Sequence, residues 1–176
     1  MTGKQDAIAA EISRLRRYAR ALLGPDGDAD DLVQEALARA LQRVDQWRSG
    51  ENPRKWLFSI LHNLHIDAIR RGTRQPLHIS INAAGMVGFS PPDDLGTRRD
   101  LDRGLQALSD EHRQVLLLVG LEGLTYAEAA DVLGVPIGTV MSRLARARDR
   151  LRVLMACDIT EANAPSAVEL RERRVP

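Results

Sequence analysis

The sequence predicts an all-α fold with two small helical domains joined by a flexible linker. Composition is the first reason, because aromatic residues make up only 3% of the chain while alanine, leucine and arginine are plentiful. Such a mixture favours helix over strand. Apolar residues also recur every three or four positions in two blocks, and no alternating strand pattern competes. Between the blocks, residues 76–97 hold three prolines and three glycines and show no sustained period, which is uncommon inside one compact domain.

This irregular segment divides the 176-residue chain. We expect a first domain over 1–75, a linker over 76–97, a second domain over 98–155 and a C-terminal tail over 156–176. The tail is either disordered or packed on the second domain, with a candidate short helix over 166–174. Each domain is small for a stable core, so docking on a larger partner would help both.

Several classes of protein are excluded by composition. One cysteine, Cys157, allows neither an internal disulfide framework nor a cysteine-rich zinc site. The N-terminus lacks the apolar core of a signal peptide. The longest apolar run, Val115 to Val119, is far too short to span a membrane. We therefore expect a soluble cytoplasmic protein with no membrane insertion, no cofactor and no metal.

The first block reads as three helices. The first carries apolar residues at helical spacing from Ile8 to Leu22 and ends at Gly24. Asp28 is the candidate N-cap of the second, which has two acids in its first turn. Asn52 precedes a proline and is the candidate cap of the third, which ends near Gly72.

The second block carries four helix starts. Thr97 and Ser109 are candidate caps of its first two helices. Thr125 and Glu128 have the spacing of a capping box, and Gly134 is the expected left-handed end of the short helix that this box begins. Pro136 then opens the final helix.

Two helices joined at Gly134 form a helix-turn-helix in the second domain. Ala130 is small enough to let the helices pack closely, and Val140 buries the second helix against the first. Residues 137–155 carry five basic residues and one acidic residue, and arginines at steps of three and four lie on a different face from the apolar stripe. This pattern fits the DNA major groove. A solvated face of an ordinary helix is the alternative for the arginine run alone.

The sequence also resembles a known family in two blocks. The segment LSDEHRQVLLLVGLEGLTYAEAADVLGVPIGTVMSRLARARDRLR, residues 108–152, is similar to region 4 of bacterial sigma factors. The segments DADDLVQEALARAL (28–41) and WLFSILHNLHIDAIRR (56–71) resemble sigma region 2. Regions 1 and 3 have no counterpart, so the chain resembles the extracytoplasmic-function (ECF) group of the sigma-70 family.

The resemblance implies a surface that binds core RNA polymerase. Asp31, Gln34 and Glu35 match the DxxQE pattern of the helix that docks on the clamp helices of the polymerase largest subunit. Region 4 is expected to meet the polymerase flap. An anti-sigma factor that covers these surfaces is a further expected partner.

The resemblance implies two surfaces for promoter DNA. The loop from Trp47 to Lys55 and the helix after it would open the −10 element, with Arg48, Arg54, Lys55, Asn63, Arg70 and Arg71 as candidate contacts. The arginine helix would read the −35 element through Thr139, Ser142, Arg143, Arg146 and Arg150. Met141 departs from the family, because many relatives carry a basic residue there.

Structural roles compete with some of these functions. Trp56 fits the core, Trp47 fits core or DNA, and Arg70 and Arg71 lie in a last helical turn, where cations also favour the dipole. His62 is expected to be exposed and His65 packed or solvated.

The resemblance implies a sigma factor that binds polymerase, places it on a promoter and stabilises strand opening, without catalysis of its own. A free-standing helix-turn-helix regulator is the first alternative, although residues 1–75 show no evident ligand pocket. A metal enzyme built on His62, His65 and Asp67 is the second, but no HExxH, phosphate-loop or nucleophile motif accompanies them.

Overall fold

The chain forms seven α-helices and no strand within the residues that the computed structural model describes, which are 2–25, 27–47, 52–72 and 95–162. The predicted all-α class is confirmed. The helices are α1 (Thr2–Leu23), α2 (Ala29–Gln42), α3 (Pro53–Gly72), α4 (Leu95–Gln106), α5 (Asp110–Leu116), α6 (Tyr126–Leu133) and α7 (Ile137–Ala162). A π-helical segment, Leu117–Leu121, continues α5. Most of the predicted linker lies outside the described residues.

Helices α1, α2 and α3 form the N-terminal block, residues 2–72. Each contributes one apolar stripe to a shared core, as the spacing from Ile8 to Leu22 predicts for α1. Tyr18 of α1 packs edge to face on Phe58 of α3, with ring centroids 5.0 Å apart, a favourable geometry for aromatic pairs. The core of this block therefore depends on two of the few aromatic residues in the chain.

The helix starts are predicted with mixed success. Asn52 caps α3, because its Oδ1 accepts a hydrogen bond from the Arg54 backbone N–H at 3.1 Å. Asp28 and Ser109 occupy the cap positions of α2 and α5, but neither side chain makes a capping hydrogen bond. Thr97 is not a cap. Helix α4 already begins at Leu95, so Thr97 lies inside it.

Helices α4 to α7 form the C-terminal block, residues 95–162. Its core includes Leu105, Val115, Leu118 and Leu144. Helix α7 continues to Ala162, beyond the predicted domain end at residue 155. The candidate helix over 166–174 lies outside the described residues, so it stays a prediction.

The two blocks pack directly on each other. Helix α1 contacts α4, α5 and the π-helical segment, while α3 contacts α6. The apolar residues of both blocks belong to one continuous hydrophobic cluster. Polar contacts reinforce it, because Arg113 donates to the Leu22 carbonyl at 2.8 Å and Gln106 donates to the Ala21 carbonyl at 3.2 Å. The sequence does not predict this docking.

A buried carboxylate lies at the junction between the blocks. The side chain of Glu122 has 0% exposure, and Arg17 of α1 forks onto it with Nε–Oε1 and Nη2–Oε2 distances of 3.0 and 3.1 Å. Burial raises the pKa of Glu122, although Arg17 and nearby arginines oppose that rise. A buried charge requires a partner, so Glu122 ties the C-terminal block to α1.

We predict that Arg17→Ala lowers the free energy of unfolding by about 2 kcal/mol at neutral pH, because the buried Glu122 loses its charged hydrogen bonds. The pKa of Glu122 is raised in the folded protein, so protonation favours the folded state and the loss should shrink as pH falls toward the ordinary carboxyl range. Urea denaturation at several pH values measures this. Arg152→Ala is the control, since that arginine pairs with Asp149 on an exposed surface and should cost little. A loss that does not change with pH would contradict the account.

Candidate nucleic-acid interface

The helix-turn-helix of α6 and α7 is built by the local signals that predict it. The Thr125 Oγ1 accepts from the Glu128 backbone N–H at 3.2 Å, and a Glu128 carboxylate oxygen accepts from the Thr125 backbone N–H at 2.9 Å. This completes the capping box. Hydrogen bonds from Thr125, followed by one from Asn52, hold the pKa of Glu128 below its usual range. Gly134 ends α6 with φ +65°, which an L side chain rarely adopts.

The apolar back of α7 packs as predicted. Val140, Leu144 and Ala147 are buried against the C-terminal block, and Ala130 of α6 is buried at the turn. The Ala130 carbonyl accepts from Val135 at 3.1 Å. The second helix therefore has a fixed orientation and presents its opposite side to solvent.

The predicted −35 contacts do not all lie on that exposed side. Ser142, Arg146 and Arg150 are exposed and Thr139 is partly buried. The Ser142 hydroxyl donates to the Thr139 carbonyl at 3.1 Å. Arg143 differs from the other arginines because its side chain is only 23% exposed and pairs with Glu111 of α5 at 2.8 Å. Glu111 is a partner that the sequence did not reveal, since only folding brings α5 against α7.

The predicted −10 contacts fall into three groups. Asn63, Arg70 and Arg71 are exposed along the second half of α3. Arg54 and Lys55, at the start of α3, are partly buried. Arg48 lies outside the described residues.

The start of α3 is held by the C-terminal block. Lys55 Nζ lies 2.5 Å from the Asp131 carboxylate, and Asn52 Nδ2 donates to the Glu128 carboxylate at 2.7 Å. Arg54 donates to the Glu122 carbonyl at 3.3 Å and also pairs with Glu11 of α1 at 3.1 Å. Helix α6 thus sets one carboxylate against Lys55, which is expected to meet DNA phosphate, and a second against the helix cap Asn52.

Both tryptophans belong to a stacked pair. Trp47 and Trp56 have ring centroids 5.7 Å apart and nearly parallel planes. Trp47 is the more buried ring, at 7% exposure, while Trp56 is only partly buried. Lys4 of α1 donates to the Val44 and Trp47 carbonyls at 3.0 and 2.7 Å. The pair therefore fixes the end of α2 against α3, and Trp56 is less of a core residue than expected.

The predicted polymerase-binding residues share one end of α2. Asp31, Gln34 and Glu35 are all exposed. Glu35 pairs with Arg39 one turn later at 2.7 Å. The buried residues of the same helix, which include Val33 and Ala36, face the core. Docking of the two blocks leaves this acidic surface open.

The two histidines of α3 are structural. His62 is buried, which contradicts the expected exposure, because Asp110 and Gln114 of α5 lie against it. Burial, followed by the nearby His65, lowers the pKa of His62. His65 is also buried, and its Nε2 lies 3.1 Å from an Asp110 carboxylate oxygen. Burial would raise the pKa of Asp110, but hydrogen bonds and charge from His65, with help from Arg113 and Gln114, lower it.

The metal-site alternative gains no support from the geometry. No group of three or more His, Cys, Asp or Glu side chains could hold a metal ion among the residues of known placement. Among the helices of the described ranges, none is long and apolar enough to cross a membrane.

Comparisons with known proteins agree on both blocks. Residues 8–62 match the family model described as the Sigma2 domain of PhyR, and residues 98–151 match Sigma-70, region 4. The ECF RNA polymerase sigma factor EcfG of Rhodopseudomonas palustris is 35% identical over 162 residues, which cover 92% of this chain and 90% of the relative.

Solved structures with a similar fold include a sigma factor. The sigma factor RpoE in complex with the anti-sigma factor NepR, from Bartonella quintana, has a TM-score of 0.75 and 31% identity, covering 90% of this chain and 99% of that one. CnrH in complex with the cytosolic domain of CnrY has a TM-score of 0.66 and 28% identity, covering 88% of each chain.

We predict that Gly134→Ala lowers the free energy of unfolding by about 1 kcal/mol, because alanine is strained at the positive φ of this turn. Gly138→Ala is the matched control. A Cβ at Gly138 would meet nothing within 4 Å, and alanine is the better helix former, so this variant should be as stable as the parent or more so. Thermal unfolding of both variants measures the difference, and equal melting temperatures would contradict the assigned turn geometry.

Proposed function

The chain belongs to the ECF sigma factors of the sigma-70 family, and we propose from this premise which of its surfaces bind polymerase, the −35 element and the −10 element. It binds core RNA polymerase and directs promoter-specific initiation. The main observation in support of these assignments is the helix-turn-helix, whose second helix, α7, exposes arginine and serine side chains. We further propose that the protein acts in the cytoplasm and has no catalytic activity of its own.

The exposed acidic surface of α2 is the proposed polymerase contact. Asp31 and Gln34 lie one turn apart, so one helix face can present both side chains to the clamp helices. Both remain accessible while the two blocks are docked. Polymerase can therefore engage the protein before the blocks separate.

The exposed side of α7 is the proposed −35 surface. Ser142 and Arg146 can reach base edges when the helix lies in the major groove, whereas Arg150 lies further along the helix and is suited to phosphate. Arg143 is braced by Glu111. An ion-paired guanidinium has fewer accessible orientations, so we propose that Glu111 positions Arg143 at the edge of the groove.

The start of α3 must be released before it can serve the −10 element. Asp131 pairs with the Lys55 ammonium that DNA phosphate would bind, and Glu128 accepts a hydrogen bond from Asn52 in the loop expected to open the −10 element. Exposed ion pairs of this kind are weak, so contacts with polymerase and promoter can replace them. We propose that binding to polymerase separates the blocks and that DNA phosphate takes the place of these carboxylates.

An anti-sigma factor is a further proposed partner. The similar structure of RpoE is a complex with the anti-sigma factor NepR, and that of CnrH is a complex with the cytosolic domain of CnrY. A protein that stabilises the docked arrangement would keep the start of α3 covered. The free-standing regulator is not favoured, because residues 8–62 match a sigma domain.

The function is tested by run-off transcription with sigma-free core polymerase on a library of upstream sequences. We predict initiation at sites that share motifs near −35 and −10, and at least a tenfold loss for the double variant Asp31→Ala, Gln34→Ala at limiting protein, since about 1.4 kcal/mol of binding energy corresponds to tenfold. Asp6→Asn, an exposed acid on α1, is the control. No initiation together with no binding to core polymerase would overturn the assignment.

Release of α3 has its own test. We predict that Asp131→Asn raises the affinity of polymerase-free protein for a single-stranded −10 oligonucleotide about two- to fivefold, because one ion pair that covers Lys55 is lost. Fluorescence anisotropy at low salt measures the binding, and Asp149→Asn is the control for one unit of charge. Equal gains in both variants would show a general charge effect and contradict the masking of Lys55.

A further inference from the structure

Two large apolar side chains are exposed at the start of α7. Ile137 is 49% exposed and Met141 is 52% exposed. They stand four residues apart, so they lie on the same face of the helix. Met141 directly precedes Ser142, which is exposed on the proposed DNA-reading surface. Neither apolar side chain belongs to the hydrophobic core.

Their position limits what they can contact. In a helix-turn-helix, the N-terminal residues of the second helix contact base edges in the major groove. Almost every group on those edges donates or accepts a hydrogen bond, and the C5-methyl of thymine is the apolar exception. An apolar side chain at this position strengthens binding when it covers a thymine methyl group. It weakens binding when it covers the hydrogen-bonding groups of any other base edge, because those groups lose their water.

The surroundings favour DNA over a protein partner. The apolar pair is followed along the helix by a hydroxyl at Ser142 and a guanidinium at Arg146, both exposed. Two apolar side chains also form too small a patch for a stable protein interface. Arg143, the next residue along the helix, is paired with Glu111. Met141 and Ser142 are the exposed residues of this turn that can contact DNA.

We propose that Met141, with Ile137 beside it, determines specificity for thymine at one or two positions of the −35 element by contacting the C5-methyl group. The inference rests on the proposed function of α7. It gives a role to an apolar residue beside the hydrogen-bonding side chains of the helix, and it predicts a preference for a methyl group rather than for a hydrogen-bonding group of a base.

Replacing thymine by deoxyuridine tests the contact, because it removes the methyl group and keeps every hydrogen-bonding group of the base. Each thymine of the selected −35 element, on either strand, is replaced singly, and the Kd of the holoenzyme for the promoter is measured. We expect at least one position where deoxyuridine weakens binding about fourfold, the effect of one buried methyl-sized group.

The effect should depend on Met141. In Met141→Ala the loss on deoxyuridine substitution should disappear at that position, and Met141→Leu should restore it. Val153→Ala is the matched control, since Val153 is 54% exposed on the same helix but about 18 Å further along its axis, and should keep the sensitivity of the parent.

Three results would overturn the inference. They are a −35 element without any A·T pair, a parent holoenzyme indifferent to deoxyuridine at every position, and a Met141→Ala variant that keeps the full sensitivity. Failure of the proposed function is distinct, because binding would then be indifferent to replacement of the whole −35 element.

Discussion

One buried carboxylate constrains how the two helical blocks are arranged. Glu122 has no exposed side-chain area, yet it carries a group that needs charged or hydrogen-bonding partners. Arg17 of the N-terminal block supplies them, and Arg54 binds the backbone carbonyl of the same residue. Because Glu122 directly follows the π-helical segment and precedes the capping box of α6, its pairing also sets where the helix-turn-helix lies relative to α1 and α3.

The docked arrangement leaves some of the proposed functional surfaces exposed and covers another. The acidic surface of α2 and the outer side of α7 are exposed, whereas the start of α3 is held by α6. Under the proposed assignment, polymerase and the −35 element can engage the docked protein, whereas the −10 element requires that Lys55 exchange a carboxylate for phosphate. The exposed ion pairs are individually weak, which makes the exchange feasible. The buried Glu122 pair and the shared apolar core oppose it.

Local signals predict what depends on nearby residues, and they miss what depends on residues distant in the sequence. The capping box of Thr125, the left-handed turn at Gly134 and the apolar stripe from Val140 to Ala147 all follow from short-range spacing. His62 is expected to be exposed, but docking of its helix against α5 buries it. Arg143 looked equivalent to Arg146 for the same reason, since Glu111 lies more than thirty positions earlier in the sequence.

The central claim is that the two blocks are docked in the free protein and separate on the promoter. Spin labels at Ala10 of α1 and Asp102 of α4, both exposed, report it directly when the native Cys157 is replaced by serine. We expect one narrow distance distribution for the free protein and a longer distance in the complex with core polymerase and promoter. The same distribution in both states would contradict the claim that the blocks separate.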